Sequence, residues 1–469
     1  MRRTTGWLAS AAVLAGATTA WGAVASAAQA QDQDIAERIA AIPGMTLIEE
    51  KPAENGDRFL LLSFEQPLDH RRPGLGSFDQ RISVLHTDED RPTVFHTNGY
   101  WLNPEPAYSE PTQLLDANEV GLEHRFFGES VPEGGDWSTL DIYQAASDQH
   151  RVHEALAEIY DRNWISTGRS KGGMTAAFYR YHYPDDMDGT VAYVAPSNTD
   201  REDTGPYDEA LATVGTAECR SALEAVEREV LLRREEMVPL HEEWAEEVGA
   251  TFTTVGGAEQ SFEVGPLNLR WTFWQYYGTE EDCAAVPEPT ASTQELYDYV
   301  DAMVGWGADH ELTAMAPYYY QAATQLGNPL FSTAHIDDLL EYPELKYSAA
   351  FVPPEVELPA FDDRPMTWVD GWATHMGTEL LFVNGGADPW AGKPFHADSE
   401  DRRAHTLVAP GANHGADISQ LTEEDRALAV ESVRAWAGLP ADTRSPAAAG
   451  GSTYDPALDH PAPHALPRP

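Results

Sequence analysis

The chain has 469 residues and a formal net charge of −47 at pH 7, with 77 acidic residues against 30 basic ones. A surface this acidic repels nucleic acid and anionic membranes, so neither is expected as a partner. The length exceeds that of one simple core and predicts a domain that carries a sizeable insertion. The acidity suits solubility in high salt as well as ordinary export, and it carries no information about chemistry.

The N-terminal residues have the pattern of an export signal. Arg2 and Arg3 precede an apolar run from Trp7 to about Val24, and Ala25-Ser26-Ala27 or Ala28-Gln29-Ala30 offers a small-x-small cleavage site. The paired arginines raise a twin-arginine route, although the residues around them match that signal poorly. No later stretch reaches the roughly eighteen apolar residues of a membrane helix. We therefore expect residues 1–30 to be a signal peptide and the mature protein to be secreted into the extracellular space.

The first predicted strands lead to a glycine-containing loop. Strand-like segments at Phe59–Phe64 and Gln80–His86 precede a third at Pro92–Thr97, and the loop that follows contains Gly99 and Tyr100. Glycine there lets the backbone approach a reacting carbonyl group, so an N–H group of Gly99 or Tyr100 is a candidate oxyanion donor. The same residues also fit an ordinary turn between a strand and a helix.

The next predicted strand, Asn118–Leu122, ends in the run Glu123-His124-Arg125-Phe126-Phe127-Gly128-Glu129-Ser130. Glu123 and Glu129 thus follow the carboxyl end of a central strand, where the sites of open α/β sheets form. A carboxylate in this place can bind the ammonium group of a substrate. The alternative is that one or both side chains pair with Arg125 and brace the loop.

A nucleophile elbow is the strongest local motif of the chain. The strand-like run Trp164–Thr167 leads into Gly168-Arg169-Ser170-Lys171-Gly172, and a helix-like run follows from Met174 to Tyr183. A G-x-S-x-G sequence between a strand and a helix exposes the serine hydroxyl at a sharp turn. Glycines two residues before and after Ser170 have a steric cause, because the turn leaves no room for side chains. The N–H group of Lys171 is then expected to be an oxyanion donor.

The pattern changes between about Asp200 and Ala360. Heavily charged helical stretches such as Arg220–Glu247 dominate there, together with pieces rich in aromatic residues. An insertion between the serine and the acid is where α/β-hydrolases carry a cap over the site. Its aromatic side chains either form a pocket for a proline ring or pack a small core.

The two cysteines, Cys219 and Cys283, both lie in this insertion. In an oxidising compartment such a pair is expected to form a disulfide rather than two free thiols. The bridge would hold the insertion together and not the catalytic core.

An acid and a base follow late predicted strands, in the chain order Ser, Asp, His of α/β-hydrolases. Asp388 lies in the loop after Leu380–Val383, and His414 in the loop after His405–Val408. Asp388 is expected to hold the tautomer of His414, which takes the proton of Ser170. Asp388 also fits a turn-forming Asp before proline. Asp417 is an alternative acid, although a position three residues from His414 is poor geometry for the orienting bond.

Strands alternating with helices predict an α/β class, here an α/β-hydrolase fold with a mostly parallel sheet and a large, mainly helical cap insertion. The expected parts are a signal peptide (1–30), the first part of the catalytic domain (31–199), the cap (200–360), the second part of the catalytic domain (361–439) and a Pro/Ala-rich tail (440–469). The tail is expected to be poorly ordered. Neither a metal-ligand spacing nor a phosphate loop occurs, so no cofactor is predicted, and we expect a monomer.

The run Glu123–Ser130 resembles the E-H-R-aromatic-aromatic-G-E-S signature of secreted prolyl-specific serine exopeptidases, the prolyl carboxypeptidase and dipeptidyl peptidase group. Together with Gly168–Thr175, it is similar to the secreted bacterial tripeptidyl aminopeptidases, over about residues 59–438. The resemblance implies that tripeptides are released from free N-termini of peptides or proteins, in some members with proline before the cut. It also implies that Ser170, Asp388 and His414 are catalytic. The carboxypeptidase group usually has an aromatic residue where Lys171 stands, which favours the tripeptidyl branch.

Two other functions stay open from the sequence. A secreted esterase or lipase would use the same triad, although the acidic cap lacks the long apolar lid helix of a lipase. A binding module built on a hydrolase fold is the other, but such modules usually lose the serine, the acid or the base.

Overall fold

The computed structural model describes residues 33–440 and 454–461 of the chain. The signal peptide predicted for residues 1–30 lies outside the described residues. The strands are β1 (Met45–Pro52), β2 (Arg58–Pro67), β3 (Ser77–His86), β4 (Thr93–Thr97), β5 (Asn118–Leu122), β6 (Trp164–Arg169), β7 (Gly189–Tyr193), β8 (Glu202–Asp203), β9 (Asn328–Pro329), β10 (Leu380–Gly385) and β11 (Ala404–Ala409).

The helices alternate with the strands of the main sheet and fill the segment between β7 and β10. They are α1 (Ile35–Ala40), α2 (Glu110–Leu115), α3 (Ile142–Leu156), α4 (Lys171–His182), α5 (Gly205–Thr213), α6 (Ala217–Leu232), α7 (Arg234–Val248), α8 (Ala258–Tyr276), α9 (Glu280–Ala285), α10 (Thr293–Met303), α11 (Asp309–Gln321), α12 (Arg364–His375) and α13 (Glu423–Trp436).

Nine strands form one sheet in the order β1-β2-β3-β5-β4-β6-β7-β10-β11. The first three strands and the β3–β5 pair are antiparallel. From β5 to β11 all neighbours are parallel. The α/β class and the mostly parallel sheet predicted from the sequence are therefore confirmed.

Helices cover both faces of this sheet, as buried parallel strands require. On one face, Val152 of α3 and Tyr179 of α4 pack in a core with Phe95 of β4. On the other face, α2 and α13 close a second core, in which Val433 packs with Ile165 of β6. The carboxyl ends of β4, β6, β10 and β11 stay open between these layers, and the loops that carry the candidate site leave from them.

The helical segment between β7 and β10 has a core of its own. Its largest fully buried side chains include Trp274, Trp306 and Phe262, packed among α6, α8 and α10. Most aromatic residues of this segment therefore pack a core, one of the two alternatives left open above. We propose that this segment is the cap expected over residues 200–360. No helix in the described ranges is long and apolar enough to cross a membrane.

A disulfide joins Cys219 of α6 to Cys283 of α9, 64 residues apart in the chain. Both cysteines belong to the helical segment, and Cys219 is buried in its core. The bond thus links the long helix α6 to a short helix that has no buried side chain of its own.

We predict that replacing both cysteines with serine lowers the free energy of unfolding by about 4 kcal/mol. The reason is that the bridge closes a loop in the unfolded chain and so lowers the conformational entropy of the unfolded state. Denaturant titration of the purified protein measures this difference. Reducing the wild-type protein should lower its unfolding midpoint to that of the double variant, and the reductant should leave the double variant unchanged. Equal midpoints for oxidised wild type and double variant would contradict the prediction.

Candidate active site

Ser170 lies at the sharp turn between β6 and α4. Its φ is 58° and its ψ is −125°, a left-handed backbone conformation that is strained for a residue with a side chain. A Cβ atom at Gly172 would lie 2.1 Å from the carbonyl oxygen of Thr97, and one at Gly168 would lie 2.4 Å from the same oxygen. The spacing of glycines around the serine therefore has the steric cause that the motif suggests.

Ser170, His414 and Asp388 lie within hydrogen-bond distance in series. Ser170 Oγ is 2.8 Å from His414 Nε2, and His414 Nδ1 is 2.6 Å from Asp388 Oδ2. The other oxygen of Asp388 accepts the N–H group of Trp390 at 3.0 Å. The Asp388 side chain is only 1% exposed. In this arrangement His414 Nδ1–H donates to the carboxylate, which leaves Nε2 free to accept the serine proton.

Asp417, the alternative acid, has other partners. One of its oxygens accepts the Ser419 hydroxyl at 2.6 Å and the N–H group of Gln420 at 3.1 Å. It caps a short turn and makes no hydrogen bond to His414 among the described residues.

The loop of His414 is held by the end of α8, a contact that the sequence analysis missed. The backbone N–H of His414 donates to the carbonyl of Gln275 at 3.0 Å. Asn413 Nδ2 donates to the carbonyl of Tyr277 at 3.1 Å. No local pattern could have revealed these bonds, because they join segments that lie about 140 residues apart in the chain.

The loop after β4 that contains Gly99 and Tyr100, the candidate oxyanion loop, packs directly on the elbow at Ser170. A Cβ atom at Gly99, whose φ is +76°, would lie 2.6 Å from the backbone nitrogen of Gly172, so only glycine fits. The N–H group of Gly99 itself donates to Thr97 Oγ1 at 3.2 Å. For the N–H group of Tyr100, the described residues provide no acceptor. We propose that, of the two candidates from this loop, Tyr100 is the oxyanion donor that acts together with the N–H group of Lys171.

The Lys171 side chain lies in the interior of the protein. It is 2% exposed, its Nζ donates to the carbonyl of Gly99 at 2.5 Å, and it lies over the rings of Tyr100 and Phe127. Burial lowers the pKa of the Lys171 ammonium well below its usual value. Lys171 stands where the carboxypeptidase group usually has an aromatic residue. Its buried side chain links the loop of Gly99 to the first turn of α4.

Glu123 does not line the cavity at Ser170, so the expectation that it binds the substrate amine is wrong. Its carboxylate is buried and accepts N–H groups of Leu102, Glu129 and Ser130 and the Ser130 hydroxyl, at 2.7–3.0 Å. Burial, the largest influence, raises its pKa despite these hydrogen bonds. Glu123 is thus a brace for its own loop.

Glu129, in contrast to the buried Glu123, lies at the surface. Its side chain is 77% exposed and lies 4.0 Å from Arg81. Neither glutamate lines the cavity that contains Ser170. The alternative pairing with Arg125 is also wrong. Both Nε and Nη2 of Arg125 donate to Asp148 at 2.7 Å, deep in the core.

Ser170 and His414 open into a cavity of about 860 Å³ between the sheet and the helical segment. Aromatic side chains from both parts line it, among them Tyr100, Trp271, Tyr276, Tyr318 and Trp390. The rings of Trp390 and Tyr276 lie 6.0 and 6.1 Å from the ring of His414. A cavity of this size, lined by aromatic side chains, can hold a small organic ligand with apolar groups.

One wall of the cavity is the C-terminal segment, residues 454–461, where the sequence predicted a poorly ordered tail. The Tyr108 N–H group donates to the carbonyl of Leu458 at 2.7 Å, and the Asp455 N–H group donates to Gln113 Oε1 at 2.7 Å. His460 Nε2 lies 2.6 Å from Glu119 Oε1. The described part of the tail is therefore docked on the sheet domain, which corrects the expectation.

His460 also stacks on His96, with 3.9 Å between the ring centroids. Burial opposes a charge on His460, but the Glu119 carboxylate outweighs it and raises the His460 pKa above 6.5. Burial likewise opposes the charge on Glu119, yet His460 lowers its pKa to about 2. Burial lowers the pKa of His96 to about 3. His96, Glu119 and His460 each have a potential metal-ligating atom within 4.8 Å of the other two. The ion pair of Glu119 and His460 already engages two of these atoms.

Comparisons with known proteins show the family of the chain. The family model described as PS-10 peptidase S37 matches residues 28–464. The prolyl tri/tetrapeptidyl aminopeptidase of Streptomyces mobaraensis is 46% identical over 445 residues, which cover 94% of this chain and 93% of that protein. The lysosomal Pro-X carboxypeptidase of Bos taurus is 25% identical over 350 residues, which cover 64% of this chain and 69% of that protein. Among solved structures, the proline iminopeptidase of Mycobacterium smegmatis has a TM-score of 0.38 at 14% identity, covering 80% of this chain and 98% of that one; this likeness is too distant to bear on function.

We predict that docking of the C-terminal segment weakens as the pH rises above 6.5. The His460 pKa is raised in the docked state, so its contribution is complete below 6.5 and is lost as the pH passes the raised value. The protection factor of the Tyr108 amide against hydrogen exchange reports the docking. His460→Gln should reduce the protection at low pH and remove its pH dependence. Protection that is independent of pH in the wild type would contradict the prediction.

A second prediction concerns Lys171. Lys171→Met removes the bond to Gly99, so kcat should fall about tenfold, the value of one hydrogen bond, with a smaller change in KM. Because the pKa of Lys171 is lowered on folding, the unfolded chain binds the extra proton below 10.5, and wild-type stability rises with pH toward that value. The variant should lack this part of the rise. Lys51→Met on β1 is the control, and equal kcat values for the two variants would refute the role.

Proposed function

The chain belongs to the PS-10 peptidase S37 family, and we propose that Ser170, His414 and Asp388 cleave peptide bonds and release tripeptides from free N-termini. That the chain is a serine peptidase of the tripeptidyl aminopeptidase type follows from the family and from the 46% identity to a named aminopeptidase. The observation that carries the triad is the continuous hydrogen-bond series of 2.6 and 2.8 Å from Asp388 through His414 to Ser170.

In the proposed reaction, Ser170 Oγ attacks the carbonyl carbon before the scissile bond while His414 Nε2 takes the serine proton. The carbonyl oxygen becomes an oxyanion that the N–H groups of Tyr100 and Lys171 stabilise. His414 then gives its proton to the departing amine, which leaves an acyl-enzyme on Ser170. Water attacks this ester while His414 takes a proton from the water. The ester C–O bond then breaks, His414 returns the proton to Ser170 Oγ, and the released carboxylate is the C-terminus of the short peptide.

Proline is the residue we propose before the cut. The rings of Trp390 and Tyr276 that flank His414, with Trp271 behind Trp390 at a centroid distance of 5.1 Å, offer flat apolar surfaces to a pyrrolidine ring. The relative from Streptomyces mobaraensis is named as a prolyl enzyme, which supports the same preference. The N-terminal signal pattern and the disulfide support export of the mature enzyme.

We predict that Ser170→Ala lowers kcat on a tripeptide anilide by several orders of magnitude, because the attacking atom is gone. The variant should keep the wild-type circular dichroism and unfolding midpoint. Ser221→Ala, on the exposed face of α6, is the matched control and should keep full activity. Retention of more than a small fraction of activity by Ser170→Ala would remove the triad assignment.

The products decide between the peptidase and the esterase. Mass spectrometry of digests of unblocked peptides should find tripeptides, and acetylation of the substrate's N-terminus should suppress cleavage. Equal cleavage of acetylated and free peptides, or faster turnover of small neutral esters than of any peptide, would favour the esterase.

A further inference from the structure

An aminopeptidase has to bind the substrate's N-terminal ammonium group, and neither Glu123 nor Glu129 reaches the cavity. Within the described residues, the acidic side chains that line it are Glu311, Asp417 and Asp459. Asp417 caps its own turn, as described above. Asp459 accepts the Tyr454 hydroxyl at 2.8 Å on one oxygen and the His460 N–H group at 2.7 Å on the other.

Glu311 differs from these two in how few hydrogen bonds it accepts. It lies in the first turn of α11, and its Oε2 accepts only a long bond of 3.3 Å from the Ala308 N–H group. Its Oε1 accepts no hydrogen bond from the described residues. Gly305 lies beside this oxygen, where a Cβ atom would be 3.3 Å away. Burial and then the charge of Glu311 raise the pKa of Tyr319 to about 12, so the carboxylate acts on the aromatic wall of the cavity.

Helix α11 carries both Glu311 and a tyrosine that contacts the ring of Tyr100. Glu311, Met315 and Tyr318 all line the cavity and follow the spacing of one helix face. The Tyr318 ring lies 6.0 Å from the ring of Tyr100, the proposed oxyanion donor. With a rise of 1.5 Å per residue, the seven residues from Glu311 to Tyr318 span roughly 10 Å. An extended tripeptide spans roughly the same length.

We propose that Glu311 binds the N-terminal ammonium of the substrate and thereby fixes the release at three residues. This inference rests on the proposed function and names the residue that measures the substrate. The ammonium forms an ion pair with a half-buried carboxylate at the cap end of the cavity. The rings of Tyr318 and Tyr319 lie along the same helix, and their faces also attract a cation.

Glu311→Gln tests the proposal, because glutamine keeps the hydrogen-bond acceptor of the helix cap and removes only the charge. The substrates are Ala-Ala-Pro-nitroanilide with a free and with an acetylated N-terminus. The variant should lose about 30- to 1000-fold in kcat/KM on the free substrate, the range of a lost charge-assisted pair. It should change little on the acetylated one, so that the wild-type preference for a free amine disappears. Glu242→Gln, on the exposed side of α7, is the charge-matched control and should behave as wild type.

Three outcomes separate this inference from the proposed function. If the wild type cleaves free and acetylated substrates alike, the exopeptidase function itself falls. If the wild type prefers the free amine and Glu311→Gln keeps that whole preference, the function stands and the anchor is overturned. If Glu311→Gln loses equally on both substrates with a lowered unfolding midpoint, Glu311 serves only the fold of α11, and the anchor is overturned as well.

Discussion

Backbone contact between the oxyanion loop and the elbow is the constraint on which the site depends. Gly99 and Gly172 approach so closely that a Cβ atom on either would collide with the other segment. Because no side chain separates them, the backbone of this loop lies directly against the first turn of α4, where Lys171 follows Ser170. The buried Lys171 side chain stabilises the same contact by donating a hydrogen bond to the carbonyl of Gly99. Strain at Ser170 is tolerated because the strand, the helix and this loop together determine its backbone.

The helical segment completes the site as well as covering it. The backbone of the His414 loop is held by carbonyls at the end of α8, so the position of the base depends on how the segment packs. The disulfide and the tryptophan-rich core keep that segment folded. Disturbing the cap should therefore change kcat through the orientation of His414 in addition to KM through the cavity wall.

The sequence was informative where the determinants are local. The elbow, Asp388 and His414 each follow a buried strand by a few residues, and chain order alone places such loops at one edge of a parallel sheet. It misled where partners are distant. Glu123 looks like a free carboxylate in the sequence, yet its oxygens bind Leu102 and Ser130. The composition of the tail predicts disorder, but its described part is docked by bonds to distant residues, among them the pair of His460 and the buried Glu119, 341 residues apart.

The extreme acidity of the chain also bears on how selectivity can arise. With a net charge of −47, the whole surface attracts cationic substrates, which raises their encounter rate without favouring any one binding register. In physiological salt this attraction is screened beyond roughly 8 Å, so exposed carboxylates such as Glu129 cannot distinguish a free N-terminus held at the serine. Discrimination needs a carboxylate inside the cavity, where water is partly excluded and the distance to Ser170 is fixed by a rigid element. Among the cavity carboxylates of the described residues, Asp417 and Asp459 already accept short local hydrogen bonds. Glu311 on the rigid helix α11 accepts only one long bond, which makes it the proposed anchor.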